Sequence, residues 1–281
     1  MRDARIVCIL GPHRSGTSLI TRVLNLMGLY LGPEDNMRKP RKWNPRGYWE
    51  HQPIIDINDA ILARFEGSWH EPPCFPSGWE RSSELEDLRQ TARNYLHQNF
   101  SNASSWGWKE PRTCLTLPFW KQFLPSLSYL ICLRSPVEVA QSLRRRNRYS
   151  MQKGIHLWMV YLEHALENSD PDRGFIFYED FMSDWRAHLP FLSTFLGQSQ
   201  PVRHAGIETA IGEFIDPTLR HHDYSSENAF ENADRNESVI MSHRLYRDLR
   251  KNAKNNPGQI AAALQETIKM IKPQLEYERP W

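Results

Sequence analysis

Three short runs of apolar residues stand out along the chain, each bounded by turn or polar residues. They lie at residues 6–10, 129–133 and 175–178. Continuous apolarity, rather than alternation with polar residues, is typical of strands that are covered on both faces. These runs therefore predict three buried strands, and the Trp-Gly-Trp segment at 106–108 predicts a fourth.

Amphipathic helical patterns lie between these runs. One places Leu19, Val23 and Met27 at helical spacing after the first run, and another places Val137 and Leu143 after the second. Strands that alternate with such helices predict an α/β fold, in which a parallel sheet of the P-loop type is flanked by helices on both faces. Ligands of such sheets bind at the carboxyl ends of the strands.

Long segments interrupt this pattern at residues 32–49, 69–79 and about 216–237. Loops of this length in a compact α/β domain usually carry function, so they are predicted to be substrate loops. Since no linker or repeat divides the chain, one domain is predicted over 1–281, with a core at 5–197 and a C-terminal lid and closing helix at 198–281. The closing helix is predicted over 260–271, ending before Pro273.

Composition and charge exclude several classes of protein. The 281 residues are 40% hydrophobic, which excludes wholesale disorder. Lys and Arg number 35 against 33 Asp and Glu, and the net charge of +2 offers no global field for nucleic acid or an anionic membrane. No apolar run reaches the roughly 18 residues that a membrane-spanning helix needs. Because the net charge is only +2, any anion must be held by a local site.

The four cysteines indicate a compartment rather than a metal site. Cys8, Cys74, Cys114 and Cys132 are widely separated and show no zinc-type spacing with the eleven histidines. They predict free buried thiols, no metal centre and a cytoplasmic location.

The first run leads directly into a Gly-rich loop at residues 11–18. Its spacing is that of G-x-x-x-x-G-K-[ST], except that Thr17 stands in place of the Lys. A strand, a tight turn and a helix opening at Gly16 place backbone N–H groups and the positive end of a helix around one small anion. Arg14 adds a cation from inside the loop. The alternative is a tight structural turn with an exposed Arg.

A second candidate anion site follows the run at 129–133. Arg134 ends that run, and the next residues predict a helix with Ser135 at the N-cap, Pro136 at the first position and Glu138 at the third. Ser142 lies two turns inside this helix. The Arg134 guanidinium and the Ser142 hydroxyl are predicted to converge on a second phosphate.

Together, three motifs in this order resemble the sulfotransferases that use 3′-phosphoadenosine-5′-phosphosulfate (PAPS). The motifs are the loop 14–18, the segment 133–136 with Ser142 beyond it, and the segment 178–181; the match extends from residue 5 to about residue 197. The resemblance implies that PAPS is the co-substrate and adenosine 3′,5′-bisphosphate (PAP) the product. It further implies that Arg134 and Ser142 hold the 3′-phosphate and that Tyr178 contributes to the adenosine site. The residues that it assigns to the 5′-phosphosulfate are Arg14, Ser15, Gly16, Thr17 and Ser18.

The chain departs from the cytosolic small-molecule sulfotransferases at two places. They carry Lys where this chain has Arg14, which makes it more similar to the bacterial and tyrosylprotein branches. They also have a basic segment near the C-terminus that closes over the 3′-phosphate, and Arg220 is the predicted substitute here. A solvated loop cation is the alternative for Arg220.

Two cations are predicted to stabilise charge in sulfuryl transfer, which needs positioning and charge stabilisation rather than a metal. They are Arg14 and Lys109. Lys109 follows the 106–108 segment and resembles the Lys of the Lys-Asp-Pro segment of tyrosylprotein sulfotransferases. The alternative is an ordinary loop Lys that pairs with Glu110.

Glu50 is the predicted base that takes the proton of the acceptor. It lies in a segment at 44–51 that resembles the Gly-Tyr-aromatic-Glu segment of bacterial sulfotransferases. The alternative is an acid that caps a helix beginning near Pro53. His51 and then His70 are the next candidate bases.

The acceptor and two other classes of function remain open at this point. Glycan, lipid, peptide and secondary metabolite are all candidate acceptors, through a hydroxyl or an amine. The basic run of Arg144, Arg145, Arg146 and Arg148 is either a solvated face or a contact for an acidic acceptor. A P-loop kinase or NTPase, with an acidic strand end at 179–180, and an inactive nucleotide-binding module are the alternatives.

Overall fold

A computed structural model describes residues 4–124, 126–198, 205–215, 237–252 and 256–276. Within them, four parallel strands form one sheet with the order β2-β1-β3-β4. The strands are β1 (Arg5–Leu10), β2 (Ser105–Lys109), β3 (Ser128–Leu133) and β4 (Arg173–Phe177). The four predicted strands are thus confirmed, except that Tyr178 begins the next helix and does not end β4.

Helices fill the connections between the strands and the C-terminal part of the described chain. Short 3₁₀ turns at Glu34–Asn36, Trp79–Arg81 and Ser83–Leu85 punctuate the long loops. The helices are α1 (Thr17–Leu26), α2 (Gln52–Arg64), α3 (Glu86–Phe100), α4 (Thr113–Lys121), α5 (Pro136–Asn147), α6 (Met151–Asn168), α7 (Tyr178–Ser183), α8 (Trp185–Phe195), α9 (Ala205–Phe214), α10 (Glu237–Asn252) and α11 (Pro257–Glu276).

The sheet has a hydrophobic core on each face, because successive strand side chains point to opposite sides. Ile6 and Cys8 of β1 belong to a cluster that contains apolar residues of α2 to α6, α10 and α11. Val7 and Ile9 belong to the other cluster, with residues of α1 and α7 to α9. The predicted α/β fold, a parallel sheet with helices on both faces, is therefore confirmed.

The C-terminal helices pack onto this core. The Tyr246 hydroxyl of α10 donates to Glu179 Oε2 at 2.8 Å, and Lys272 of α11 lies 2.9 Å from Glu163 of α6. These contacts support the proposal of one domain. The predicted end of the closing helix was wrong, since α11 continues through Pro273. Pro273 is exposed and near the helix end, where its missing N–H costs a single hydrogen bond of the last turns.

The cysteines carry free thiols. Cys8, Cys114 and Cys132 are buried as predicted, whereas Cys74 is exposed in the loop at 69–79. Among the helices of the described ranges, none has the length and apolarity that crossing a membrane requires.

Candidate active site

The loop after β1 has a backbone that only glycine allows at two positions. Gly11 has φ +145°, and a Cβ there would lie 2.7 Å from the Cys132 carbonyl oxygen of the neighbouring strand. Gly16 has φ +85°, and its Cβ would lie 2.3 Å from the Tyr178 ring. Between them, Ser15 is buried and its hydroxyl donates to the Pro12 carbonyl at 2.8 Å. The loop is thus held tightly against β3 and α7.

Arg14 joins the two predicted anion sites. Its Nε donates to Ser142 Oγ at 2.8 Å, and its carbonyl accepts from Arg134 Nη1 at 3.2 Å. Burial, and then the nearby guanidinium groups of Arg146 and Arg134, lower the pKa of Arg14 to about 10. Arg14 therefore remains a cation at neutral pH, and it lies between the loop and α5.

Arg134 is held by a carboxylate and an aromatic ring. Its Nε donates to Glu138 Oε2 at 2.9 Å, and its guanidinium carbon lies 4.4 Å from the centre of the Tyr178 ring. Ser135 occupies the N-cap position of α5 as predicted, but its hydroxyl makes no cap and is buried without a partner. The predicted N-cap position is thus confirmed, and the Ser135 N–H donates to Glu179 Oε1 at 2.9 Å while Glu138 pairs with Arg134.

Lys109 and Glu50 form a buried ion pair. The Lys109 Nζ donates to Glu50 Oε1 at 2.6 Å and to Ser18 Oγ at 3.1 Å. Glu50 Oε2 accepts from Arg38 Nη1 at 3.2 Å. Lys109 thus pairs with Glu50 and not with its neighbour Glu110. Glu50 does not cap α2 either, because its two carboxylate oxygens are taken by Lys109 and Arg38.

The second-choice bases are turned away from this pair. The His51 ring is buried, its Nδ1 in contact with the Tyr95 hydroxyl and its Nε2 with the Leu31 carbonyl. Burial lowers the pKa of His51. His70 stacks on Tyr149 with ring centres 6.0 Å apart. Neither histidine lines the cavity described next, so the geometry favours Glu50 over both as the base.

A cavity of about 450 Å³ opens at the carboxyl ends of β1 to β4. Most of the predicted site residues line it together. Ser15 and Ser142 are buried and are not among the lining residues, although Ser142 contacts the lining residue Arg14, and Arg220 is outside the described residues. The predicted residues that line the cavity are Arg14, Gly16, Thr17, Ser18, Glu50, Lys109, Arg134 and Tyr178.

His13 is a cavity residue that the sequence analysis did not select. Its ring packs on Trp69 and Tyr161, with ring centres 4.7 and 5.4 Å away, and its Nε2 is buried without a hydrogen-bond partner. Burial and then four nearby cations lower the pKa of His13 well below its ordinary value, so the ring is neutral. The sequence feature that could have identified His13 is its position as a titratable residue inside the anion-binding loop.

The acids at the end of β4 serve a structural purpose. Glu179 accepts hydrogen bonds from Tyr246 and from the Ser135 N–H, and burial raises its pKa. Asp180 pairs with Arg250 of α10 at 2.5 Å. Neither carboxylate lines the cavity, so these acids do not support the kinase or NTPase alternative. Within the described ranges, no three or more His, Cys, Asp or Glu side chains lie close enough together to hold a metal ion.

Comparison with known proteins gave a family and several solved structures. No curated protein matches the chain. Sulfotransferase STF9 from Mycobacterium avium is 14% identical over 79% of this chain and 69% of its own, with a TM-score of 0.45. The sulfotransferase domain of the Synechococcus PCC 7002 olefin synthase is 16% identical over 98% and 96%, with a TM-score of 0.45. Mouse sulfotransferase SULT7A1, solved in complex with PAP, is 12% identical over 96% and 90%, with a TM-score of 0.43.

The family assignment rests on the sequence itself and not on these structural likenesses. The sequence model of the sulfotransferase family matches residues 7–201, which span β1 to the end of α8 and contain all the described site residues above except those of α10. The chain belongs to the sulfotransferase family.

Proposed function

We propose that this protein transfers a sulfuryl group from PAPS to a hydroxyl or amine of an acceptor, without a metal. The proposal rests on one observation: two positively charged sites, each suited to an anion, meet at one cavity. Arg14 of the loop contacts both Ser142 and Arg134 of the second site. A donor with a phosphosulfate at one end and a 3′-phosphate at the other needs two such sites on one sheet.

The loop and α5 would bind the donor. Backbone N–H groups of the loop and the N-terminus of α1 would hold the 5′-phosphosulfate, with Arg14 as the cation. Ser142 accepts from Arg14 and still has its own O–H to donate to a 3′-phosphate, beside Arg134. Tyr178, which packs against both Gly16 and Arg134, would border the adenosine.

The Lys109–Glu50 pair would carry out the proton and charge steps. The acceptor oxygen or nitrogen forms a bond to sulfur while the bond from sulfur to the bridging oxygen breaks, and that electron pair leaves with the 5′-phosphate. Glu50 would take the acceptor's proton. Lys109 has three N–H groups, of which Glu50 and Ser18 use two, so the third can stabilise charge on the departing group.

The proposal includes a cytoplasmic location. Its support is the absence of disulfides among the four cysteines, which favours a reducing compartment.

Calorimetry of nucleotide binding tests the proposal and its kinase alternative together. PAP should bind in the presence of EDTA, because guanidinium groups and backbone N–H groups neutralise its phosphates. ATP should bind at least 10-fold more weakly, because it has no 3′-phosphate. Tight, Mg²⁺-dependent ATP binding with no preference for a 3′-phosphate would contradict the assignment.

A further inference from the structure

The peptide group between Arg134 and Ser135 is held from both sides. Its carbonyl oxygen accepts a hydrogen bond from the Trp158 indole N–H of α6 at 3.0 Å. Its N–H donates to Glu179 Oε1 of α7 at 2.9 Å. A peptide group whose donor and acceptor are both bound by side chains cannot rotate without breaking one of these hydrogen bonds. Its orientation is therefore fixed by α6 and α7.

The orientation of this peptide decides where the proposed 3′-phosphate site lies. The Arg134 side chain starts from the residue on one side of it, and Ser135 on the other side is the N-cap of α5, the helix that carries Ser142. A rotation of the peptide would therefore displace the Arg134 guanidinium relative to the Ser142 hydroxyl. Both groups must reach one phosphate, and hydrogen bonds weaken steeply away from their preferred geometry.

Tyr246 of α10 contacts both side chains that hold the peptide. Its hydroxyl donates to Glu179 Oε2 at 2.8 Å. Its ring meets the Trp158 ring edge to face, with ring centres 6.3 Å apart. Tyr246 is itself only 3% exposed, so these contacts are shielded from water. A residue of the C-terminal helices thus orients both Glu179 and Trp158.

Glu179 depends on the Tyr246 hydroxyl because the carboxylate is buried. Burial, and then the nearby Glu138 carboxylate, raise the pKa of Glu179, while the hydrogen bonds from the Ser135 N–H and from Tyr246 lower it. A buried carboxylate oxygen that loses its donor is desolvated without compensation, so the side chain must turn or take up a proton. Either change weakens or redirects the hydrogen bond to Ser135.

We propose that Tyr246 is a positioning residue for the 3′-phosphate site, so that the preference of the donor site for a 3′-phosphate depends on the docking of α10. This inference rests on the proposed binding of PAPS. Tyr246 does not line the cavity and acts through Glu179 and the 134–135 peptide. The pair of Arg250 and Asp180 also joins α10 to α7, but within the described residues neither forms a hydrogen bond with that peptide.

Nucleotide binding by Tyr246→Phe, measured by titration calorimetry, tests this inference. The substitution removes only the hydroxyl and keeps the ring against Trp158. PAP affinity should fall by about 5-fold or more, whereas the affinity for adenosine 5′-phosphosulfate, which has no 3′-phosphate, should change by less than about 2-fold. Arg250→Gln is the matched control, because it breaks the ion pair with Asp180 one turn further along α10. It should leave both affinities within about 2-fold of the wild type.

Amide exchange of Ser135, followed by NMR, gives a second measurement that needs no nucleotide. Relative to the amides of β1, the Ser135 N–H should exchange about 10-fold faster or more in Tyr246→Phe than in the wild type, because its acceptor is no longer held. In Arg250→Gln it should exchange at the wild-type rate. The comparison with β1 separates a local effect on this peptide from a general loss of stability.

The other results are as informative. Unchanged PAP affinity or an unchanged Ser135 exchange rate in Tyr246→Phe would overturn the inference. Parallel losses for the two nucleotides, or an equal loss of PAP affinity in Arg250→Gln, would also overturn it, since they would show only that loosening α10 perturbs the whole cavity. Failure of the wild-type protein to bind PAP, or equal wild-type affinities for the two nucleotides, would instead contradict the proposed function and remove the site that Tyr246 is proposed to position.

Discussion

The Lys109 ammonium lies 2.6 Å from Glu50 Oε1, and the two side chains are only 1% and 5% exposed. They come from the end of β2 and from the loop that precedes α2, 59 residues apart in the chain. Removing one member of a buried ion pair leaves an uncompensated charge in a medium of low dielectric. A substitution at either residue should therefore affect both the stability of the protein and the chemistry proposed for the cavity.

A double-mutant cycle should reveal this coupling. Glu50→Gln should lower the free energy of unfolding by about 3 kcal/mol, because it leaves the Lys109 charge buried without a carboxylate. Lys109→Met should cost less, because Glu50 keeps Arg38 as a partner. The double variant should lose less than the sum, by at least about 1 kcal/mol. The Lys272–Glu163 pair is partly exposed, so the corresponding cycle should give a coupling of about 0–1 kcal/mol in the same urea titrations. Additive losses at Lys109 and Glu50 would show that they do not interact.

Turnover should distinguish a base from a counter-ion. If Glu50 takes the acceptor's proton, Glu50→Gln should lower kcat by roughly 10²–10⁴-fold while the Kd of PAPS changes little. The measurement is transfer from radiolabelled PAPS to an acceptor identified by screening. Near-normal kcat across the pH range would mean that Glu50 only orients Lys109, and His13 would become the base to test.

Arg134 should discriminate between donors with and without a 3′-phosphate. Arg134→Ala should weaken PAP binding by about 1.5–3 kcal/mol, since a charge-assisted hydrogen bond is lost. Binding of adenosine 5′-phosphosulfate should stay nearly unchanged. Since the substitution also leaves Glu138 without its partner, the double variant with Glu138→Gln provides the control for that charge. Equal losses for both ligands would show that Arg134 does not contact the 3′-phosphate.

The neutral His13 ring should make stability depend on pH. Its pKa is lowered in the folded protein by burial and by the cations Arg112, Arg146, Lys109 and Arg38. The unfolded chain therefore binds a proton more readily, and its His13 titrates near 6.5. Above that pH the group has no effect on stability. As the pH falls below 6.5, protonation of His13 in the unfolded chain lowers the free energy of unfolding by up to about 1.4 kcal/mol per pH unit.

Denaturation at several pH values measures that contribution. Between about pH 6.5 and 5, the free energy of unfolding should fall less steeply with decreasing pH in His13→Gln than in the wild type. His70→Gln is the matched control, since His70 does not line the cavity. Equal slopes in the His13→Gln and wild-type proteins would show that His13 is protonated in the folded state as readily as in the unfolded one.

Local patterns were sufficient for the strands and the phosphate loop. A continuous apolar run must be covered on both faces, and this requirement depends on the run alone. Within the loop, Gly11, Arg14 and Gly16 are a few residues apart, so the motif predicts their proximity without knowledge of the rest of the chain. The same holds for Arg134 and Ser142, which are connected by two turns of one helix.

Partners distant in sequence were decided only by the tertiary structure. Glu110 follows Lys109 directly, yet Glu50 is the residue that pairs with it, because parallel strands and their loops bring distant segments to one sheet edge. Ser135 occupies the predicted N-cap position, but only the tertiary structure shows that Glu138 pairs with Arg134 and that the Ser135 N–H donates to Glu179.

The basic run at 144–148 shows most clearly the difference between what the sequence determines and what the tertiary structure decides. Residues of a helix differ in direction by about 100°, so the sequence determines that Arg144, Arg145 and Arg146 point to different sides. It does not determine which of these sides faces the cavity. That depends on the packing of α5 against α6 and on the loop that brings Trp69 to Arg146. Burial against another segment of the chain, and not the charge or spacing of the run, turns one arginine of three into a candidate ligand-binding residue.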